Sequence, residues 1–207
     1  MSSNEAEDRL EETLLSYSRH PDFYADRYCT ADLSVYRNEF LGALPSVSGF
    51  VLDGGCGPGR DCKEFYQAGM SVVGLDRSIE LLRISQSRTP APLIAGDLMR
   101  LPFRPRSFDG VWLCSSLIHL PSTFIEEILL CVRKLLRREG VVFASIINGS
   151  HSGWQPDPFG GRRWFAQLRE EEALELASRV GLALIKSSIE PGVLSGTWIN
   201  LLARREE

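Results

Sequence analysis

Apolar and polar positions fall along this chain in repeating blocks. Short apolar runs, each closed by Gly, Pro or an acidic residue, predict buried strands near 50–53, 71–75, 92–95, 108–113 and 140–147. Between them, apolar residues recur at helical spacing and predict helices near 59–68, 78–87, 121–137 and 169–180. Strand and helix in alternation imply a parallel sheet with right-handed crossovers. Upstream, Asn4 to Tyr17 predicts an amphipathic helix with Leu10, Leu14 and Tyr17 on one face; His20-Pro21 breaks it, and a second helix runs from about Asp32 to Leu44. Downstream, Leu182–Ile189 and Thr197–Ala203 read as strands joined by residues 190–196, too short for a crossover helix, so this pair must be antiparallel. Ser150–Arg163, rich in Gly and Pro, is the least regular stretch and reads either as lid or substrate-binding material or as a connector.

The first strand leads into Val51-Leu-Asp-Gly-Gly-Cys-Gly-Pro-Gly59. Gly55, Gly57 and Gly59 let the backbone take positive φ and let a ligand approach without a Cβ in the way. The helix that follows offers unpaired N–H groups. Asp76 ends the second strand about twenty residues on, where a carboxylate can accept from both ribose hydroxyls. Asp97, at the tip of the third strand, can accept from an adenine amino group. A glycine turn with these two acids describes a pocket for an adenosyl group.

These segments resemble the class I S-adenosylmethionine-dependent methyltransferases. Asp53-x-Gly-x-Gly-x-Gly59 is similar to the family's first motif, Val72-Val-Gly-Leu-Asp76 to its second and Ala95-Gly-Asp-Leu-Met-Arg-Leu-Pro-Phe103 to its third. Ser107–Trp112 resembles the fourth strand with its lead-in, and Leu135–Phe143 the turn before the fifth. The resemblance implies an α/β three-layer sandwich: a seven-stranded, mostly parallel sheet of order 3-2-1-4-5-7-6, an antiparallel C-terminal hairpin and an N-terminal helical cap. One domain over 1–207 is expected, with 1–45 as cap and 46–207 as Rossmann-like core. The implied cofactor is S-adenosyl-L-methionine, leaving as S-adenosyl-L-homocysteine. Gly55 and Gly57 would admit its methionine part, Asp53 would orient the loop and the ammonium, and Asp76 would bind ribose. Arg77 would flank the adenine, and Asp97 with the Leu98 N–H would read its edge. Ser115 would touch the methionine moiety. Tyr24, with Tyr17 and Tyr28, would fold over the cofactor.

Composition narrows the function. A formal net charge of −4 disfavours a nucleic-acid partner. The length suits one sizeable core. Five cysteines without paired spacing read as free thiols of a reducing cytosol, and no apolar run has membrane-spanning length. The polar, acidic start, Met1 to Glu12, does not read as a signal peptide. No metal site is expected, since none of His20, His119 and His151 has ligand spacing. The expectation is a cytoplasmic monomer or homodimer acting on a small molecule at O, N or C.

Methyl transfer from a sulfonium needs an aligned nucleophile and excluded water, and an acid or base only where the acceptor must lose a proton. His119, after the fourth strand, is the candidate general base; the plainer reading is a histidine bonded within its loop. Arg162 and Arg163, beside Trp154 and Trp164, could clamp a carboxylate or phosphate, though a solvated helix start is the simpler reading. Two other functions stand beside the first, while an NAD-dependent oxidoreductase, which shares the glycine corner, is disfavoured because the turn is G-x-G-x-G and not G-x-G-x-x-G and because of the C-terminal hairpin. One is a tRNA wobble-uridine methyltransferase, since Trp164-Phe165 and Trp198 resemble aromatic positions of some wobble-uridine enzymes of this superfamily. The other is a non-catalytic cofactor-binding protein on the same fold.

Overall fold

The computed structural model describes residues 3–192 and 196–206, with residues 3–6 as backbone alone. Three helices come first: α1 (Ser3–Arg19), α2 (Pro21–Cys29) and α3 (Ser34–Ala43). The central alternation follows as β1 (Phe50–Gly54), α4 (Arg60–Gln67), β2 (Ser71–Asp76), α5 (Ile79–Gln86) and β3 (Leu93–Ala95). A 3-10 turn at Leu98–Arg100 precedes β4 (Phe108–Cys114), α6 (Ser122–Leu135) and β5 (Leu136–Asn148). The remainder is β6 (Gly153–Pro156), β7 (Arg162–Phe165), β8 (Gln167–Leu168), α7 (Glu170–Arg179), β9 (Leu182–Pro191) and β10 (Thr197–Arg205).

The main sheet runs β3-β2-β1-β4-β5-β10-β9, the expected order with β9 and β10 as sixth and seventh strands. β10 is antiparallel to both β5 and β9. An eighth strand, the two-residue β8, adds in parallel to the end of β5. Strands β1 and β4 are buried along almost their whole length, which is why they read as continuous apolar runs. On one face Leu113, Val142 and Leu201 meet Ile128 of α6 and Leu176 of α7. On the other, Trp112 stacks on Phe143 at 4.0 Å between centroids and takes the edge of Phe40 from α3. Strand order reverses between β1 and β4, so the crevice above their C-terminal ends is where an open sheet of this kind binds ligands.

Three local readings change. Pro21 ends α1 but also opens α2, because its fixed φ and missing N–H suit the first position of a helix. The stretch 150–163 contains one strand and the start of another: β6 and β7 form a two-stranded antiparallel sheet that turns at Gly160, φ 88°. Of the segment expected as a cap, α1 and α2 cover the crevice, whereas α3 packs on the sheet face through Phe40 and reaches the cavity wall with Tyr36 alone. Residues 193–195 of the connection between β9 and β10 lie outside the described residues.

Candidate active site

The glycine turn is pinned before any ligand arrives. The amides of Gly55 and Cys56 both donate to the Leu75 carbonyl, at 2.7 and 3.0 Å, tying the tip of β1 to that of β2. The glycines then divide their work. A Cβ at Gly55 (φ 76°) would lie 2.3 Å from Ser116 Cβ, so this residue must be bare for the chain to pack. Gly57 (φ 51°) has open space where its Cβ would be and lies in the wall of the cavity, so its bareness leaves the backbone there uncovered.

Two acids complete the turn. Asp76 accepts from Gly57 N at 2.7 Å through Oδ2 and from Ser78 N at 2.8 Å through Oδ1. Burial pushes its carboxyl up, and those backbone bonds pull it back in part. Asp97 accepts from Met99 N at 2.9 Å, and its other oxygen lies 3.3 Å from Arg77 Nη1. Asp53 differs from both. It is 3 % exposed, and its Oδ2 has no hydrogen-bond partner in the protein. Burial, with the Asp61 charge behind it, pushes its carboxyl well above the usual carboxylate range. Asp61 is held the opposite way: burial works against its charge, but hydrogen bonds from Arg60, Arg37 and Trp112 keep its carboxyl low.

A cavity of about 470 Å³ opens above these residues. It brings together Asp53, Gly55, Gly57, Asp76, Arg77, Asp97, Leu98, Ser115 and His119. Tyr24 is not in its wall: the ring is buried behind, and its hydroxyl donates to Asp157 Oδ2. Tyr17 and Tyr28 take the wall position instead. Ser115 sits at φ 58°, and its amide donates to Ser145 Oγ at 2.7 Å.

Arg163 also lines the cavity, while Arg162 points to solvent and pairs with Glu12. In a strand, neighbouring side chains face opposite ways, so one arginine of the pair had to turn inward. Arg163 Nη1 donates to Tyr17 Oη at 3.2 Å and to Tyr28 Oη at 3.1 Å, and Nε lies 3.4 Å from Asp157 Oδ2. The solvated-helix reading of this residue is therefore corrected: 162–165 is a strand, and the Arg163 side chain is 13 % exposed.

His119 bridges the two sides. Its Nδ1 is 2.6 Å from the Trp164 carbonyl, which can only accept, so Nδ1 carries the proton. Nε2 is then the acceptor, taking the Tyr17 hydroxyl proton at 2.7 Å. Burial lowers the imidazole to about 4, against a smaller upward pull from the Trp164 bond. A neutral ring with both nitrogens engaged orients Tyr17 and joins the loop after β4 to the hairpin.

The amino-acid sequence matches the family described as Methyltransferase domain over residues 51–140. It is 34% identical over 111 residues to a malonyl-[acyl-carrier protein] O-methyltransferase of Pseudescherichia vulneris, covering 51% of this chain and 43% of that protein. It is 36% identical over 92 residues to a demethylmenaquinone methyltransferase of Renibacterium salmoninarum, covering 43% and 38%. The chain thus spans less than half the length of these two relatives. Among solved structures it superposes on the 1,6-didemethyltoxoflavin-N1-methyltransferase of Burkholderia thailandensis with TM-score 0.78 and 21% identity, over 100% of this chain and 92% of that one. A methyltransferase of Methanosarcina mazei gives TM-score 0.74 at 17% identity, over 84% and 99%. Residues 51–140 thus match a methyltransferase-domain family, and the fold is that of S-adenosylmethionine-dependent methyltransferases.

Proposed function

We propose that this protein transfers the methyl group of S-adenosylmethionine to a small-molecule acceptor inside the cavity. One observation carries the reading: a bare glycine, Gly57, and a buried acid, Asp53, whose Oδ2 has no hydrogen-bond partner in the protein, line the same cavity. An orphaned buried oxygen costs about 1–3 kcal/mol, which a cationic ammonium would recover. The remaining lone pairs of Asp76 suit a ribose diol, and Asp97 with the Leu98 N–H suits an adenine edge. Arg77 stays beside Asp97 as its counter-charge. Ser115, at the end of β4, stands at the methionine side.

When bound, the cofactor supplies a methyl already activated by its sulfonium. The protein then has to align the acceptor and keep water out. The cavity is covered by α1, α2 and the hairpin, held by Tyr24 to Asp157 and by Thr13 Oγ1, which accepts from Trp164 N at 3.0 Å. That cover favours a small acceptor over a polynucleotide. The relatives named above act on malonyl-[acyl-carrier protein], demethylmenaquinone and 1,6-didemethyltoxoflavin, so the acceptor must be read from this chain's own cavity.

Calorimetry against S-adenosylhomocysteine tests the reading, with micromolar binding at one site per chain as the expected result. Folded protein that binds dinucleotides but not this ligand would sink it. Asp76→Ala should weaken binding by tenfold or more, since two ribose hydrogen bonds of about 1 kcal/mol each are lost. Unchanged affinity in a folded variant would remove Asp76 from the site.

A further inference from the structure

The acceptor side of the cavity has a chemistry of its own. The acids that suit the adenosyl group lie at the ends of β1, β2 and β3, on one side of the strand-order reversal. On the other side the wall comes from β4, β5, β10 and the hairpin. Ile118, Phe165 and Trp198 make it apolar, and Arg163 is the cation set into it.

Arg163 is both held and under-compensated. Its guanidinium carbon stands 4.9 Å from the Tyr24 ring centroid and 5.1 Å from that of Phe165, so aromatic faces fix its plane. Nη1 is spent on the two phenol oxygens. Asp157 is the nearby anion, yet at 3.4 Å the buried Nε makes no hydrogen bond to it. Asp157 meanwhile accepts from Tyr24 Oη and from Phe159 N, so its lone pairs are largely taken. Among the described residues the hydrogen bonds of Arg163 use Nη1 alone, which leaves the Nη2 donors for a ligand. Tyr17 gives its proton to His119, so the Tyr28 hydroxyl proton is the one in this cluster still able to turn toward the cavity.

We propose that the acceptor is a planar molecule bearing an anionic oxygen, held by Arg163 and Tyr28 between apolar walls. This rests on the methyl-transfer reading above. The free Nη2 donors meet one oxygen of a carboxylate or of a phenolate, while Tyr28 supplies an O–H donor to either. A neutral acceptor of the same shape would leave the Nη2 donors without a charged acceptor in a poorly solvated place.

The test uses the whole chain loaded with S-adenosylhomocysteine, titrated calorimetrically with paired probes. Para-hydroxybenzoate against para-hydroxybenzamide reports a carboxylate; para-nitrophenolate against para-nitroanisole reports a phenolate. The anionic member of at least one pair should bind about tenfold tighter or more. That preference should vanish in Arg163→Gln while S-adenosylhomocysteine still binds. Arg163→Lys, which retains the charge, should keep part of the preference that Arg163→Gln loses. Equal affinities within both pairs, or no binding of any probe, would overturn the proposal without touching the cofactor reading. A preference that survives Arg163→Gln would also overturn it. So would an Arg163→Gln protein that loses S-adenosylhomocysteine, because Arg163 would then serve the cofactor. The wild-type comparison needs no variant, so a variant that fails to fold leaves the proposal exposed to refutation. Wild-type protein that does not bind S-adenosylhomocysteine marks instead the failure of the methyl-transfer reading.

Discussion

Two glycines in one turn, alike on paper, do different things. Gly55→Ala drives a Cβ to 2.3 Å from Ser116 Cβ, so it should lower thermal stability before ligand matters. Gly57→Ala meets nothing within 4 Å and pays only the left-handed backbone, about 1–2 kcal/mol, but sets a methyl into the cavity wall. It should keep most of its stability and lose more cofactor affinity. Melting curves and titrations of the two variants side by side would separate these outcomes, and equal loss of both properties in both variants would refute the division. His119 makes a second prediction at this scale. Its folded value near 4 lies below an unfolded value near 6.5, so the folded state binds fewer protons between them. The stability held by the neutral ring is full above about pH 6.5 and drains as pH falls toward 4, by at most about 3 kcal/mol. Urea titrations at several pH values should show that slope reduced in His119→Asn. The pH profile of kcat/KM should carry no limb near neutrality from this ring. A limb near pH 6.5 that disappears in His119→Asn would restore the general base.

Among elements, the hairpin β6–β7 and the helices α1 and α2 act as one cover. Tyr24 to Asp157, Arg162 to Glu12 and the stacking of His20 on Phe159 at 3.7 Å all cross between them. Asp157 sits at the centre, 6 % exposed, and answers both Tyr24 and Arg163. Asp157→Ala leaves the guanidinium beside a vacated carboxylate and should cost about 3 kcal/mol. The loss should be local: faster amide exchange in α2 and in 153–165, with the strands of the sheet protected as before. Exchange that rises evenly across β1, β4 and β5 would show that the cover is not a separable unit.

For the whole molecule, the cofactor-side cavity is built from both termini of the turn, from β2, β3 and β4, and from the cover, so a ligand that fills it ties distant segments together. S-adenosylhomocysteine at a hundred times its dissociation constant should stabilise the fold by about 2.7 kcal/mol. For a chain of this size that is a rise in Tm of about 5–10 °C. No shift at saturation, with binding shown by calorimetry, would mean that the ligand binds the unfolded chain equally well or meets a site outside the cooperative fold.

The amino-acid sequence alone determined what local patterning can carry. Apolar runs closed by Asp53 and Asp76 marked parallel strand ends, because interior strands are apolar on both faces. The short link after β9 required an antiparallel return, and the glycine spacing marked the turn. Nine of the expected site positions line one cavity because the end of each strand in an open sheet is a predictable place. Tertiary structure decided what spacing leaves open. Which tyrosine faces the cavity depended on how the N-terminal helices pack against the hairpin, where Tyr24 binds Asp157, and it chose Tyr17 and Tyr28 over Tyr24. Which arginine turns inward depended on a strand hidden in a Gly- and Pro-rich stretch, and it chose Arg163. What His119 can do depended on a carbonyl 45 residues away and a phenol 102 residues away, which hold its tautomer. Partners that remote leave no periodic trace in the chain; only packing brings them within hydrogen-bond reach.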